Sequence, residues 1–247
     1  MTTLKDLART PRLLVATDFD GVLAPIVANP ASARALPESV AALRDLDTLP
    51  DTEIAIVTGR SLEVLQRLLE PPESWHLVGS HGAETSDHIL DLEALRPAVV
   101  RLAARLEHLV GGRPGVAIEP KPIGAAVHVR NAPADVGAAV LDEVRSGPAA
   151  EPGIFVTEGK CVIELAVVEV SKGAAVNQLR SKVDASGVLY VGDDVTDERA
   201  FLALQDGDLG VKVGPGETAA GVRVDDPEAV AALFAELYSL RSEQKTG

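Results

Sequence analysis

A chain of 247 residues has room for one large domain, or for a main domain carrying an inserted one. Its 37 acidic residues against 23 basic ones give a net charge of −14, which opposes a nucleic-acid backbone or an anionic membrane, and aromatics at 3% are too few for base-stacking platforms. A lone Cys161, no apolar run of about 18 residues and no signal-peptide pattern over Met1 to Arg12 exclude a disulfide framework and a membrane span, and point to the cytoplasm.

In chain order, Leu13-Leu14-Val15-Ala16 reads as a buried strand of parallel type, stopped by Asp18-Phe19-Asp20-Gly21. Pro37 opens a helix with Val40, Leu43 and Leu46 at helical spacing, and Pro50-Asp51 ends it. Glu53 to Val57 is a second strand, halted by Thr58-Gly59-Arg60; Ser61 caps a helix through Leu69, and His76 to Val78 is a third strand. Alternating strands and helices predict a parallel sheet with right-handed crossovers.

The rhythm then changes. Leu92 to Val110 is a helix, Val116 to Glu119 and Ala125 to Arg130 are strands, Ala134 to Arg145 is a helix, and Ile154 to Thr157 with Cys161 to Ala166 form a hairpin. From Lys172 the first rhythm resumes: a helix to Ser181, a strand Gly187 to Val191 ending in Gly192-Asp193-Asp194, and a helix from Asp197 to Leu204. Strands Leu209 to Val213 and Val222 to Val224 and an amphipathic helix from Pro227 to Leu240 complete it. The expected architecture is α/β: a Rossmann-like doubly wound parallel-sheet core, residues 1–85 plus 169–247, with an inserted α+β cap (αββαββ) over 86–168.

Polar groups gather at the strand ends. Ligands of open α/β sheets bind outside the carboxyl ends of the strands, which is where Asp18, Asp20, Thr58, Asp193 and Asp194 fall, with Lys172 opening a helix nearby. Singly, each is explained as well by a polar turn or a helix cap. Together, carboxylates converging on one edge form a hard oxygen cage of the kind Mg²⁺ accepts, since like charges at an apolar core need a compensating cation.

Asp18-Phe19-Asp20-Gly21, Thr58, Lys172 and Gly192-Asp193-Asp194 resemble the four motifs of the haloacid dehalogenase (HAD) phosphohydrolases. The receiver domain of response regulators also combines Asp, Thr and Lys, but it lacks the Asp-x-Asp and is shorter. The resemblance implies that Asp18 attacks phosphorus and that Asp20 is the acid and base. It makes Asp18, the Asp20 carbonyl and Asp193 the Mg²⁺ ligands, with Thr58 and Lys172 on the transferring group. Because an ordinary Asp is almost wholly ionised near neutral pH, Asp20 can act as an acid only in a drier place, which closure of the insert is expected to provide.

Thr58 and Lys172 lie 114 positions apart, far more than a βα crossover needs. Read with period 2, the inserted strands set Glu119, Lys121, His128, Arg130 and Glu164 on one face. Taken alone, such a face reads first as solvated; carboxylates and a lysine also suit a polyol. Glu119-x-Lys121 with His128-x-Arg130, Gly159-Lys160-x-Val162-x-Glu164, Ser171-Lys172-Gly173, Gly79-Ser80-His81-Gly82-Ala83-Glu84 and Gly192 through Glu198 resemble the trehalose-6-phosphate phosphatases. That resemblance implies that Glu119, Lys121 and Glu164 hold glucose hydroxyls, with Arg60 and His81 at the mouth. It also implies a sugar-phosphate substrate; a trehalose-6-phosphate synthase is the candidate protein partner, and a monomer is the expected state. Val22 stands where that family often has Thr. Asp197 and Glu198 either orient Asp193 or cap the next helix. The rivals are a phosphatase for another glycosyl phosphate, such as glucosyl-3-phosphoglycerate, and a silent sugar-phosphate sensor. Walker A, His-Glu-x-x-His and dinucleotide-binding patterns are missing, and His76, His88 and His108 read as surface or packing residues.

Overall fold

The computed structural model describes residues 2–86, 92–159 and 161–244, so His88 and Lys160 lie outside the described residues. In chain order it contains α1 (Leu4–Ala8), β1 (Leu13–Thr17), α2 (Pro37–Asp47), β2 (Thr52–Val57), α3 (Leu62–Leu69), β3 (His76–Gly79) and β4 (Glu84–Thr85). Then follow α4 (Leu92–Val110), β5 (Ala117–Lys121), β6 (Gly124–His128), α5 (Ala134–Ser146), β7 (Phe155–Gly159) and β8 (Val162–Ala166). The chain finishes with α6 (Lys172–Val183), β9 (Gly187–Gly192), α7 (Val195–Ala203), β10 (Leu209–Val213), β11 (Val222–Val224) and α8 (Pro227–Gln244). Two compact units result, Met1–Ile89 with Ser171–Gly247, and Leu90–Val170.

The first unit is built on a seven-stranded sheet in the order β11-β10-β9-β1-β2-β3-β4, parallel except for the short edge strand β4. Side chains alternate across it. Leu13, Val15, Ile54, Ile56, Leu189 and Val191 face α2 and α8, where Leu43, Leu46, Phe234 and Leu237 are buried. Leu14, Ala16, Ala55, Val57, Val188 and Tyr190 face α6 and α7. Burial on both faces is why β1 reads as an unbroken apolar run. β1 sits between β2 and β9, so its carboxyl end opens at the point where the strand order reverses. The doubly wound core expected from the sequence is therefore present.

The second unit follows the order αββαββ and forms an antiparallel sheet, β5-β6-β8-β7. Ala125, Val127, Ile163 and Leu165 pack with Leu102, Leu106, Val110, Val140 and Val144 of α4 and α5. On the opposite face the register aligns three rows: Lys121–Gly124–Ala166–Phe155, Glu119–Ala126–Glu164–Thr157 and Ala117–His128–Val162–Gly159. No described helix is long and apolar enough to cross a membrane.

At the far edge of the first sheet, Arg241 of α8 is buried, with 1% exposure. Its guanidinium donates to Thr52 Oγ1 and to the carbonyls of Ala8, Thr10, Pro11 and Asp51, pinning the C-terminal helix to the starts of β1 and β2. A buried charge persists only when its donors are matched. Arg241→Ala strands several acceptors and is expected to cost about 3 kcal/mol, a fall in Tm of roughly 6–12 °C. Arg67→Ala, at an exposed position of α3, should leave Tm within about 2 °C. Equal thermal unfolding of the two variants would refute the pinning role.

Candidate active site

The site lies at the carboxyl ends of β1, β2 and β9. The ladder runs one residue past β1, since the Asp18 amide donates to Val191 at 2.9 Å, and there the carboxylate turns in beside the sheet. Asp18 is 5% exposed; its Oδ1 accepts from the Phe19 amide at 2.6 Å and its Oδ2 from Lys172 Nζ at 2.6 Å. Lys172, the first residue of α6, is delivered by the Ser171 N-cap, whose hydroxyl accepts from Ala174 N. The same ammonium donates to Asp197 Oδ1 at 2.8 Å.

Asp197 is the best-bonded carboxylate among these groups. Oδ1 takes Lys172 and the Tyr190 hydroxyl (2.6 Å), and Oδ2 takes the amides of Asp193 and Asp194, both at 2.9 Å. A carboxylate has about four acceptor sites, so Asp197 has none left for a ligand. Of the two roles the sequence left open for it, Asp197 performs both: it completes the capping box of α7 with Asp194 and fixes the Asp193 backbone. Glu198 does neither, and accepts instead from Ala219 N at 2.8 Å.

Asp18, Asp193 and Asp197 bring carboxylate oxygens within 4.8 Å of one another. Burial pushes the Asp18 carboxyl up to about 7, with Asp197 adding to the rise against the pull of Lys172. Burial, then Asp197, pushes Asp193 up to about 6. Lys172 stays above its usual pKa, because Asp18 and Asp197 outweigh the burial that opposes its charge. Negative charge is thus in excess around one lysine. The Asp193 carboxylate fills the space where a Gly21 Cβ would stand, 1.9 Å from Oδ2, and Gly21 has φ +72. Hard oxygen donors with uncompensated charge fit a small divalent cation. Asp18 and Asp193 remain available to hold one, whereas Asp197 is saturated.

Thr58 is buried; its Oγ1 accepts from Arg60 N at 3.3 Å, leaving the O–H free to donate. Asp20 and Arg60 form a bidentate pair, Nε to Oδ2 and Nη2 to Oδ1, each at 2.6 Å, and the guanidinium lies 5.4 Å from the Phe19 ring centroid. The Asp20 bond raises the Arg60 pKa. Nothing in the spacing of these residues announces that pair. His81 is in the left-handed region (φ 57), with its ring over Gly59, where a Cβ would come within 2.6 Å of Cε1. Asp18, Asp20, Thr58, Gly59, His81, Lys172, Asp193 and Asp194 line one pocket together with Ile26 and Thr196. Lys212 is a residue the sequence reading passed over. It lies inside the buried strand β10 and donates to the Asp193 carbonyl, tying the loop down from below. A lysine in Leu-Gly-Val-Lys-Val was the available signal.

In the second unit, Glu119 accepts from Lys121 Nζ at 2.7 Å and lies 2.9 Å from His128 Nε2. Lys121, then His128, lowers the Glu119 pKa. Glu164 stands across Ala126 from Glu119 on the same face. Arg130 lies in an exposed turn beyond β6, where strand alternation no longer assigns it a face.

The family profile described as trehalose-phosphatase matches residues 16–228. A trehalose-phosphate phosphatase from Mycobacterium marinum is 36% identical over 96% of this chain and 61% of its own length. The chain therefore spans about three-fifths of that relative. The solved structure of the Aspergillus fumigatus trehalose-6-phosphate phosphatase is similar at 25% identity with a TM-score of 0.73, covering 96% of both chains. A phosphatase of the haloalkanoate (HAD) superfamily from Bacteroides thetaiotaomicron, 15% identical over 93% of this chain and 94% of its own with a TM-score of 0.55, shares the fold. The chain belongs to the trehalose-phosphatase family.

Proposed function

We propose that the protein hydrolyses trehalose 6-phosphate to trehalose and inorganic phosphate, with Mg²⁺, through an aspartyl-phosphate on Asp18. The observation that carries this reading is the buried Asp18 carboxylate held 2.6 Å from Lys172 beside Asp193, at the switch point of a trehalose-phosphatase-family sheet. A carboxylate fixed by two donors is positioned for in-line attack.

In this reading an Asp18 oxygen forms the bond to phosphorus while the bond from phosphorus to the sugar oxygen breaks. The Thr58 hydroxyl donates to the transferring phosphoryl group, and Lys172 balances its charge. Asp18, Asp193 and the Asp20 carbonyl would hold Mg²⁺, which would supply the positive charge a phosphate dianion needs beside these carboxylates. Asp20 delivers a proton to the leaving oxygen, then removes one from the water that cleaves the acyl-phosphate. Each of its oxygens accepts one hydrogen bond from Arg60, which leaves each a second lone pair for the proton and fixes the direction in which the carboxylate faces. Glu119 and Glu164 accept from sugar hydroxyls, and Lys121 donates to them.

Phosphate release should be measured with Mg²⁺ on trehalose 6-phosphate, glucose 6-phosphate, sucrose 6-phosphate and glucosyl-3-phosphoglycerate. A strong preference for the first is expected; similar rates on all four would remove the narrow assignment, and none on any would favour a binding role. Asp18→Asn is expected to lower kcat by about 10³-fold or more while the protein still unfolds cooperatively. Glu119→Ala should reduce kcat/KM for trehalose 6-phosphate about tenfold more than for para-nitrophenyl phosphate; equal losses would refute a sugar contact.

The raised carboxyl pKa values give a linked prediction for the metal-free protein. A group whose folded pKa lies above its unfolded value stabilises below the unfolded pKa, and that stability is lost as pH rises through the folded pKa. For Asp18 and Asp193 the loss runs from about 4 up to about 7 and about 6. In the presence of a chelator, Asp18→Asn should therefore gain Tm over the parent at pH 8 and lose most of that gain at pH 5. Saturating Mg²⁺ should raise the parent Tm more at pH 8 than at pH 5. A shift equal at both pH values would contradict the excess charge assigned to this cluster.

A further inference from the structure

Six of the seven aromatic residues are sequestered. Phe19, Trp75, Tyr190, Phe201 and Phe234 are buried, and Tyr238 packs half-buried against the core. The seventh, Phe155, is 40% exposed. It begins β7, the edge strand of the second unit's sheet, and lies outside that unit's apolar core. The face to which it belongs is fixed from both sides. Glu158, on the other alternation of β7, accepts two hydrogen bonds from Arg145 of α5, so that alternation faces the helices. Phe155 pairs with Ala166 and Thr157 with Glu164, so both share the face of Glu119, Lys121 and His128.

That face has a definite layout. Its two middle strands present Gly124, Ala126 and Ala166, a floor of small, buried residues between taller flanks. On one flank stand Glu119 and Lys121, and Glu164 rises from the floor. On the other flank stand Phe155 and Thr157. Four strands at ~4.8 Å spacing separate the flanks by about 14 Å, enough for two sugar rings laid across the strands. A pyranose offers hydroxyls around its rim and a patch of C–H groups on its face. Carboxylates and an ammonium satisfy the rim, but they leave the C–H patch without an apolar partner. An aromatic face supplies that partner, with large contact area and little entropy to lose.

We propose that Phe155 is the apolar platform for a pyranose ring of the substrate, with Thr157 offering its hydroxyl to the same ring, and that β7 is thereby a specificity-determining strand. The proposal rests on the sugar-phosphate reading above and deepens it, adding residues that the charged motifs do not include. Phe155 acts on the leaving group, so its effect should appear in KM and in discrimination between substrates and not in the chemical step.

The test compares Phe155→Ala, Phe155→Leu and Phe155→Trp in the full chain, each with trehalose 6-phosphate and with para-nitrophenyl phosphate, with sedimentation velocity alongside. Phe155→Ala and Phe155→Leu are expected to raise KM for trehalose 6-phosphate about tenfold, with kcat changed less than about threefold. The ratio of kcat/KM between the two substrates should fall by a similar factor, and Phe155→Trp should restore most of it. Equal losses on both substrates, full activity in Phe155→Leu, or a change confined to the sedimentation coefficient, as for an edge strand that pairs with a second copy, would each overturn the platform. The parent separates the two ideas: trehalose 6-phosphate turnover with an unchanged KM in Phe155→Ala sinks the platform alone, whereas a parent inactive on every sugar phosphate sinks both.

Discussion

The first unit depends on one shared cation. Asp18 sets a carboxyl group at the end of a strand buried on both faces, and burial opposes its charge. Lys172 meets it at 2.6 Å, but a buried lysine needs more than one acceptor to be held still, and Asp197 provides the second. Asp197 in turn is immobilised by the Tyr190 hydroxyl and two loop amides. Tyr190 stands on the core side of β9, edge-on to Phe201 of α7, with ring centroids 5.6 Å apart. The Asp18 carboxylate is therefore registered against the hydrophobic core through three side chains. Gly192 belongs to the same constraint, because a Cβ there would meet Asp197 Cγ at 2.4 Å.

Charge counting leaves an excess of negative charge in this arrangement that a cation would compensate. Three carboxylates face Lys172, with Lys212 committed to backbone carbonyls from beneath. Asp20 is neutralised separately by Arg60 and contributes nothing to the balance. A phosphate dianion approaching this edge of a chain with net charge −14 meets repulsion at short and long range. Positive charge placed at the carboxylates would reduce both repulsions at once, which would couple cation and anion binding at this edge.

Much of this was legible in the sequence because the physics is local. A buried parallel strand must stop where a charge appears, so Leu-Leu-Val-Ala-Thr followed by Asp18 marks a strand end at the ligand-binding edge. Lys172 after a Ser N-cap marks a helix start. Two elements were passed over, α1 and β4, of five and two residues, too short to display a period, although Thr3 and Asp6 form a capping box for α1. Long-range pairings were illegible for a different reason. Asp20 with Arg60 and Lys212 with Asp193 depend on which strands become neighbours, and spacing along the chain carries no record of that. For the same reason period 2 assigned Glu119 and Glu164 a common face, but only the register brings Phe155 into the row of Lys121.

The two units hold their charges in opposite ways, and this bears on which positions tolerate change. Around Asp18, the Lys172 and Asp197 side chains are buried and bonded to one another, so replacing either disturbs stability and the geometry of the cluster together. On the open face of the second unit, Glu119, Lys121 and His128 are a third to a half exposed and bond mainly to one another. Exposed pairs of this kind contribute little to folding. Such residues can be exchanged without unfolding the sheet, provided that Ala125, Val127, Ile163 and Leu165 beneath them keep their packing. Substitution therefore costs little stability on the open face of β5 to β8 and much more in the buried cluster of the first unit. A fold in which the buried charge cluster is tied to stability and the open polar face is not leaves sequence change its freedom on that face.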